Sequence, residues 1–160
     1  QHVDIIDVTD KINPVLISST VYENVHYTHQ GWLTEDHKYF ILGDELDEAY
    51  DGINTRSIVL DFSDLDNPII HFDYYGPTLA IDHNGYVVGD NYYLANYRAG
   101  LRKIDISQID SKVMTEVGFF DTFPSSDGSG FSGAWSVYPF FNSQNIVISD
   151  INRGLFVVKN

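Results

Sequence analysis

Two histidines recur at equivalent places of an internal repeat. His29-Gln30-Gly31-Trp32 in one copy matches His83-Asn84-Gly85-Tyr86 in the next, and Asp82 adjoins the second histidine. Imidazole is the side chain whose protonation changes near neutral pH and a common metal ligand, so two rings brought together by a repeat could share a transition metal or a small ligand. The series breaks in the following copy, where Ser132 of Ser132-Gly133-Ala134-Trp135 takes the histidine's place. The competing reading is structural: the repeat period alone sets the spacing, and inherited packing residues with hydrogen-bonded rings would recur in the same way.

A second constellation is acidic. Asp44-Glu45-Leu46-Asp47-Glu48-Ala49-Tyr50-Asp51-Gly52 is an insertion relative to the corresponding turn at Tyr97-Arg98-Ala99-Gly100. Its clustered carboxylates are hard oxygen donors suited to Ca²⁺, which makes Asp44, Glu45, Asp47, Glu48 and Asp51 a candidate calcium loop. The run from Asp47 to Gly52 matches the first, fifth and sixth positions of an EF-hand loop, but Ala49 stands at the third and Ile58 at the twelfth, where a bidentate glutamate belongs. The site is therefore argued from ligand chemistry, against the plainer expectation of a solvated acidic loop.

Arg98 and Arg153 occupy equivalent turns, with Arg56 near the matching place in an earlier copy. Their planar forks could hold a carboxylate or a sugar acid on one face, although pairing with acidic neighbours is the simpler use in a chain this acidic. Together with Trp135, these residues complete a candidate ligand set of His29, Asp82, His83, Arg98, Trp135 and Arg153. Other chemistry is missing. The chain has no phosphate-cradling Walker loop, no dinucleotide fingerprint and no zincin helix, and Gly130-Phe131-Ser132-Gly133-Ala134 lacks the glycine spacing of a nucleophile elbow.

The elements that must position these residues follow from a repeated phrase. Val3-Asp4-Ile5-Ile6-Asp7-Val8, Ser57-Ile58-Val59-Leu60-Asp61-Phe62 and Leu101-Arg102-Lys103-Ile104-Asp105-Ile106 are three copies, and Leu155-Phe156-Val157-Val158-Lys159-Asn160 begins a fourth. Asn13-Pro14 follows Asp7 by the interval at which Asn67-Pro68 follows Asp61. Each unit holds four short runs rich in Val, Ile, Tyr and Phe, bounded by Asn, Asp, Gly, Ser and Pro. Nothing sustains the 3.6-residue period over the length a helix needs, so these runs read as strands. The phrases are apolar at adjacent as well as alternate positions, which predicts strands covered on both faces.

Four strands per unit in tandem predict an all-β fold, a β-propeller of four-stranded antiparallel blades. The expected division is residues 1–22 as the third and fourth strands of one blade, 23–76 and 77–120 as whole blades, and 121–160 as the first three strands of a further blade. About three and a quarter blades result, fewer than closed propellers hold, so a segment of a larger ring is expected. Innermost strands would line a central channel, placing His29 and His83 there.

Composition restricts the partners. The 160 residues carry a net charge of −14 and no cysteine, while two Trp, eleven Tyr and ten Phe supply core material in place of disulfides. Such charge repels phosphates and anionic lipid surfaces, which argues against nucleic-acid binding and against direct membrane insertion by this segment. No apolar stretch approaches a membrane span in length.

Several segments resemble one family. His29-Gln30-Gly31-Trp32-Leu33, Gly43-Asp44-Glu45-Leu46-Asp47-Glu48, Ala80-Ile81-Asp82-His83-Asn84, Ala95-Asn96-Tyr97-Arg98-Ala99-Gly100-Leu101 and Gly133-Ala134-Trp135-Ser136-Val137-Tyr138-Pro139 are similar to the choice-of-anchor B proteins, which carry LVIVD-type propeller repeats. The likeness runs in order along nearly the whole chain. It implies a secreted or surface-displayed bacterial β-propeller, usually followed by a C-terminal anchor, and hence an extracellular or cell-surface location. It implies no mechanism.

Two function classes remain. One is a non-catalytic propeller module that binds a protein, a glycan or another copy completing the ring. The other is a metal-dependent hydrolase or lyase using Asp44, Glu45, Asp82, His29 and His83 at the channel. Fold alone chooses neither, and no complete catalytic constellation favours the second, so the binding module is the expectation.

Overall fold

The structure is a computed structural model that describes residues 1–159; Asn160, the last residue of the fourth phrase, lies outside the described residues. The chain is all-β. Strands β1 (Val3–Asp7) and β2 (Val15–Thr20) form a two-stranded sheet. Strands β3 (Thr28–Leu33), β4 (Tyr39–Asp44), β5 (Arg56–Asp61) and β6 (Ile69–Tyr75) form a four-stranded one. A second four-stranded sheet holds β7 (Gly85–Val88), β8 (Asn91–Asn96), β9 (Gly100–Asp105) and β10 (Thr115–Phe120), and the last sheet holds β11 (Ala134–Tyr138), β12 (Asn145–Asp150) and β13 (Gly154–Lys159). Among the described residues all strand pairings are antiparallel between sequential strands, and no sheet closes on itself. A short helix α1 (Asp47–Asp51) joins β4 to β5. Among the described residues no helix is long and apolar enough to cross a membrane.

The repeated phrase has a local physical cause. Asp7, Asp61 and Asp105 each end their strand and accept the backbone N–H of the residue two further on, Thr9, Ser63 and Ser107 respectively. Such side-chain turns release the chain from the ladder at a fixed point. Hydrogen bonds from those same three residues, hydroxyl and amide together, hold the carboxyls below their ordinary range. A second turn follows in the first two copies, where Asp10 accepts from Ile12 and Asn13, and Asp64 from Asp66 and Asn67. The Asn-Pro step then starts the next strand, where proline's missing donor is harmless.

The sheets pack face to face in chain order, and each contact is a separate apolar core. Val3 of the first sheet meets Leu42, Ile58 and Leu60 of the second. Tyr39, Ile41 and Val59 from the second meet Val87, Tyr92, Leu94 and Ile104 of the third. Tyr93, Ala95 and Leu101 from the third meet Val137, Ile146, Ile148, Phe156 and Val158 of the fourth. Strand β5 is accordingly buried on both faces, and β9 nearly so, as their unbroken apolar runs predict. The first and last copies of the phrase differ. In β1 and β13 alternate residues face outward, leaving Ile6, Leu155 and Val157 exposed, because no further sheet covers those two faces here.

Candidate functional site

Of the leading strands of the last three sheets, β7 adjoins both β3 and β11, and each of the three is irregular at its start. In β3 the register shifts between Thr28 and Gln30, lifting His29 out of the ladder; in β11 it shifts between Ala134 and Ser136, lifting out Trp135. Ahead of β7, His83 N–H donates to the Ala95 carbonyl while Ala95 N–H donates to the Asn84 carbonyl, so two residues oppose one. Bulges bend a strand and re-aim the extra side chain. Here three of them turn His29, His83 and Trp135 toward one another: the His29 and His83 rings are 4.7 Å apart and the His83 and Trp135 rings 4.3 Å apart. The register corrects the alignment by motif. Trp135, not Ser132, stands where the other two units carry histidine, because Thr28 pairs with the last residue of β4 as Ala134 pairs with the last residue of β12.

Glu45 closes the group from the far end of β4. Its carboxylate oxygens lie 3.6 Å from His29 Nδ1 and 3.7 Å from His83 Nε2. Tyr97, just past β8, donates its hydroxyl to Glu45 Oε1 at 2.6 Å. His83 contacts the Trp135 carbonyl through Nδ1 at 2.5 Å; a carbonyl only accepts, so this nitrogen carries the proton and Nε2 keeps its lone pair toward Glu45. Burial holds the His83 ring below its ordinary pKa, so it stays neutral near pH 7. The Tyr97 hydroxyl is held as a donor, its pKa raised by burial and by Glu45. Two imidazoles, a carboxylate and a phenol therefore meet where Tyr27, Tyr97 and Trp135 supply apolar walls.

The acidic insertion is part helix and part buried: Asp44, Asp47 and Glu48 are inside, while Ala49 to Gly52 face solvent. Asp47 and Glu48 sit in α1 and, with Asp44, are buried. Asp44 ends β4 and accepts the Tyr22 hydroxyl and the amides of His26 and Tyr27. Asp47 pairs with the equally buried Arg56 at 2.7 Å, and Glu48 accepts the Arg56 amide. Asp51 lies at the surface beside His26, 3.1 Å away. The five acids thus point into different environments: Glu45 to the histidines, Asp44 to backbone amides, Asp47 and Glu48 to Arg56, and Asp51 to His26.

Asp82 is buried with neither oxygen hydrogen-bonded, and its carboxyl fills the space that a side chain at Gly43 would take. Burial first, and the nearby Asp47, Asp44 and Glu45 next, hold it protonated far above the usual carboxylate range. Glu48 is pushed up to about 11 by burial, then by Asp82 and Asp47. Glu48 Oε2 and Asp47 Oδ1 are both buried without another partner, and a proton on Glu48 lets the first donate to the second.

The arginines do not form a ring of free forks. Arg98 donates to the Ser129 carbonyl and lies over the Phe123 ring, Arg153 donates to the Thr122 carbonyl, and Arg56 is buried. Sequence reading grouped Glu45 with the two histidines, alongside Asp44 and Asp82, but missed Tyr97, which holds the Glu45 carboxylate. A signal for it existed: the two residues follow equivalent second strands of successive units, directly opposite the histidine-bearing strand starts. No protein-family model matches this chain, and no curated protein is significantly similar to it.

Proposed function

We propose that this chain is a non-catalytic binding or assembly module of the β-propeller type, in which each antiparallel sheet is a blade and β3, β7 and β11 are innermost strands. The resemblance to choice-of-anchor B proteins supports an extracellular or cell-surface setting for it. One observation carries the reading: the faces that would meet neighbouring blades are covered between sheets and bare at both outer sheets. Ile6, Val8 and Leu16 are exposed on the first, and Leu155 and Val157 on the last. Contiguous apolar surface of this kind marks an interaction site. A second copy of the chain is the simplest occupant, since it presents the same sheet geometry and the same bare faces. Light scattering across a concentration series tests this: self-association into a discrete oligomer is expected, and a strictly monomeric protein at high concentration overturns it.

The contact of His29, Glu45 and His83 favours a second reading, a metal-dependent hydrolase or lyase. A neutral imidazole and a carboxylate beside an open position are what such chemistry requires. Turnover of an ester or glycoside that is lost in Glu45→Gln would establish it; no turnover across such a panel removes it.

A further inference from the structure

We propose that His29, Glu45 and His83 bind one divalent transition-metal ion of the Zn²⁺ class. Among the described residues, this is the group of three whose ligand atoms come within 4.8 Å of one another. In a tetrahedral site with bonds of about 2.0–2.1 Å, ligand atoms lie about 3.3 Å apart. Glu45 Oε2 lies 3.6 Å from His29 Nδ1 and Oε1 lies 3.7 Å from His83 Nε2, while the three ligand atoms as a set fall within 4.8 Å, so closing round an ion takes rotation of the side chains, His29 and Glu45 foremost.

The surroundings are those of a built ligand set. The Trp135 carbonyl fixes the His83 tautomer that offers Nε2, as metal-bound histidines donate their other N–H to a carbonyl or carboxylate. Tyr97 holds the Glu45 carboxylate by donating to Oε1, the outer-shell hydrogen bond that orients a ligating carboxylate. Strand bulges aim both rings. His83 is 4% exposed and Glu45 12%, whereas His29 is 25% exposed, so the set is anchored inside with one side open for entry and for a water or ligand in the fourth position. Two nitrogens and one carboxylate select a borderline transition ion; Ca²⁺ requires six to eight oxygens, which this place does not supply.

The ion site is a precondition of the hydrolase reading and is independent of the assembly reading. Its test is titration of chelator-treated, tag-free protein with Zn²⁺ by calorimetry and with Co²⁺ by visible absorption. Saturation at one ion per chain is expected, with a low-coordinate Co²⁺ spectrum. His29→Gln, which alters the most exposed ligand, should weaken binding by about 100-fold, and Tyr97→Phe by about 10-fold. Near-UV circular dichroism and thermal midpoint confirm that each variant is folded. No saturable heat and no Co²⁺ spectrum overturn the proposal, as does undiminished binding in both folded variants. Ion binding without turnover leaves the site standing and removes the hydrolase.

Discussion

Glu48, Asp47 and Arg56 show how a single cation organises buried acids. Arg56 is 3% exposed and Asp47 is fully buried, so removing one partner leaves an uncompensated group in a low-dielectric interior. Arg56→Ala should destabilise the fold by about 3–5 kcal/mol, measured by urea unfolding. Glu48 gives a pH dependence of known sign. Its carboxyl binds a proton more tightly in the folded chain, where its pKa is about 11, than in the unfolded chain. The folded state is then favoured below the unfolded pKa, and stability falls as pH rises from there toward the folded value. His83, whose folded pKa is lowered, works the other way but finishes titrating near neutrality. Glu48, together with Asp82, whose carboxyl is likewise held protonated, therefore dominates above about pH 7.5, each group costing up to about 1.4 kcal/mol per pH unit. Thermal midpoints should decline between about pH 7.5 and 9, and Glu48→Gln should lessen that decline, since its amide donates to Asp47 without a titratable proton.

Strand ends are where the elements acquire function. Gly133, at φ 95°, lets the start of β11 approach the segment after β8, and an added Cβ would collide with the Tyr97 carbonyl. That same carbonyl accepts the Ala134 amide, a bridge that ties β11 to the sheet holding Tyr97. Gly133→Ala therefore displaces Trp135 from His83 and forces a left-handed conformation on an L-residue. A cost of at least about 1–2 kcal/mol is expected in denaturant unfolding, with disturbed His83 signals by NMR. The strands themselves were readable from their Val, Ile, Tyr and Phe content, and the turns from Asp-Ser and Asn-Pro steps, because both are local preferences. The bulges were not. A one-residue shift depends on which partner residue the ladder meets, and spacing along one strand does not contain that information. For the same reason motif alignment placed Ser132 where the register places Trp135.

At the scale of the whole molecule, three covered interfaces lie between two bare outer faces, and a net charge of −14 opposes self-association. Burial of apolar area favours contact while like charge resists it, and salt screens only the second. Light scattering should show stronger association at high than at low ionic strength. Leu155→Lys with Val157→Lys, both on the outward face of β13, should suppress it without unfolding the chain, as exposed lysines guard natural sheet edges. Persistence of the oligomer in that double variant would move the contact to another surface. Sequence by itself determined the tandem strand units and their turns, since these rest on local backbone preference. Tertiary structure alone decided which acids are buried, that Glu45 and not Asp82 faces the histidines, and which copies of the repeated phrase are covered on both sides. Burial and convergence are properties of neighbours distant in the chain, and a repeat that writes nearly the same words in each unit gives its members different fates according to what packs against them.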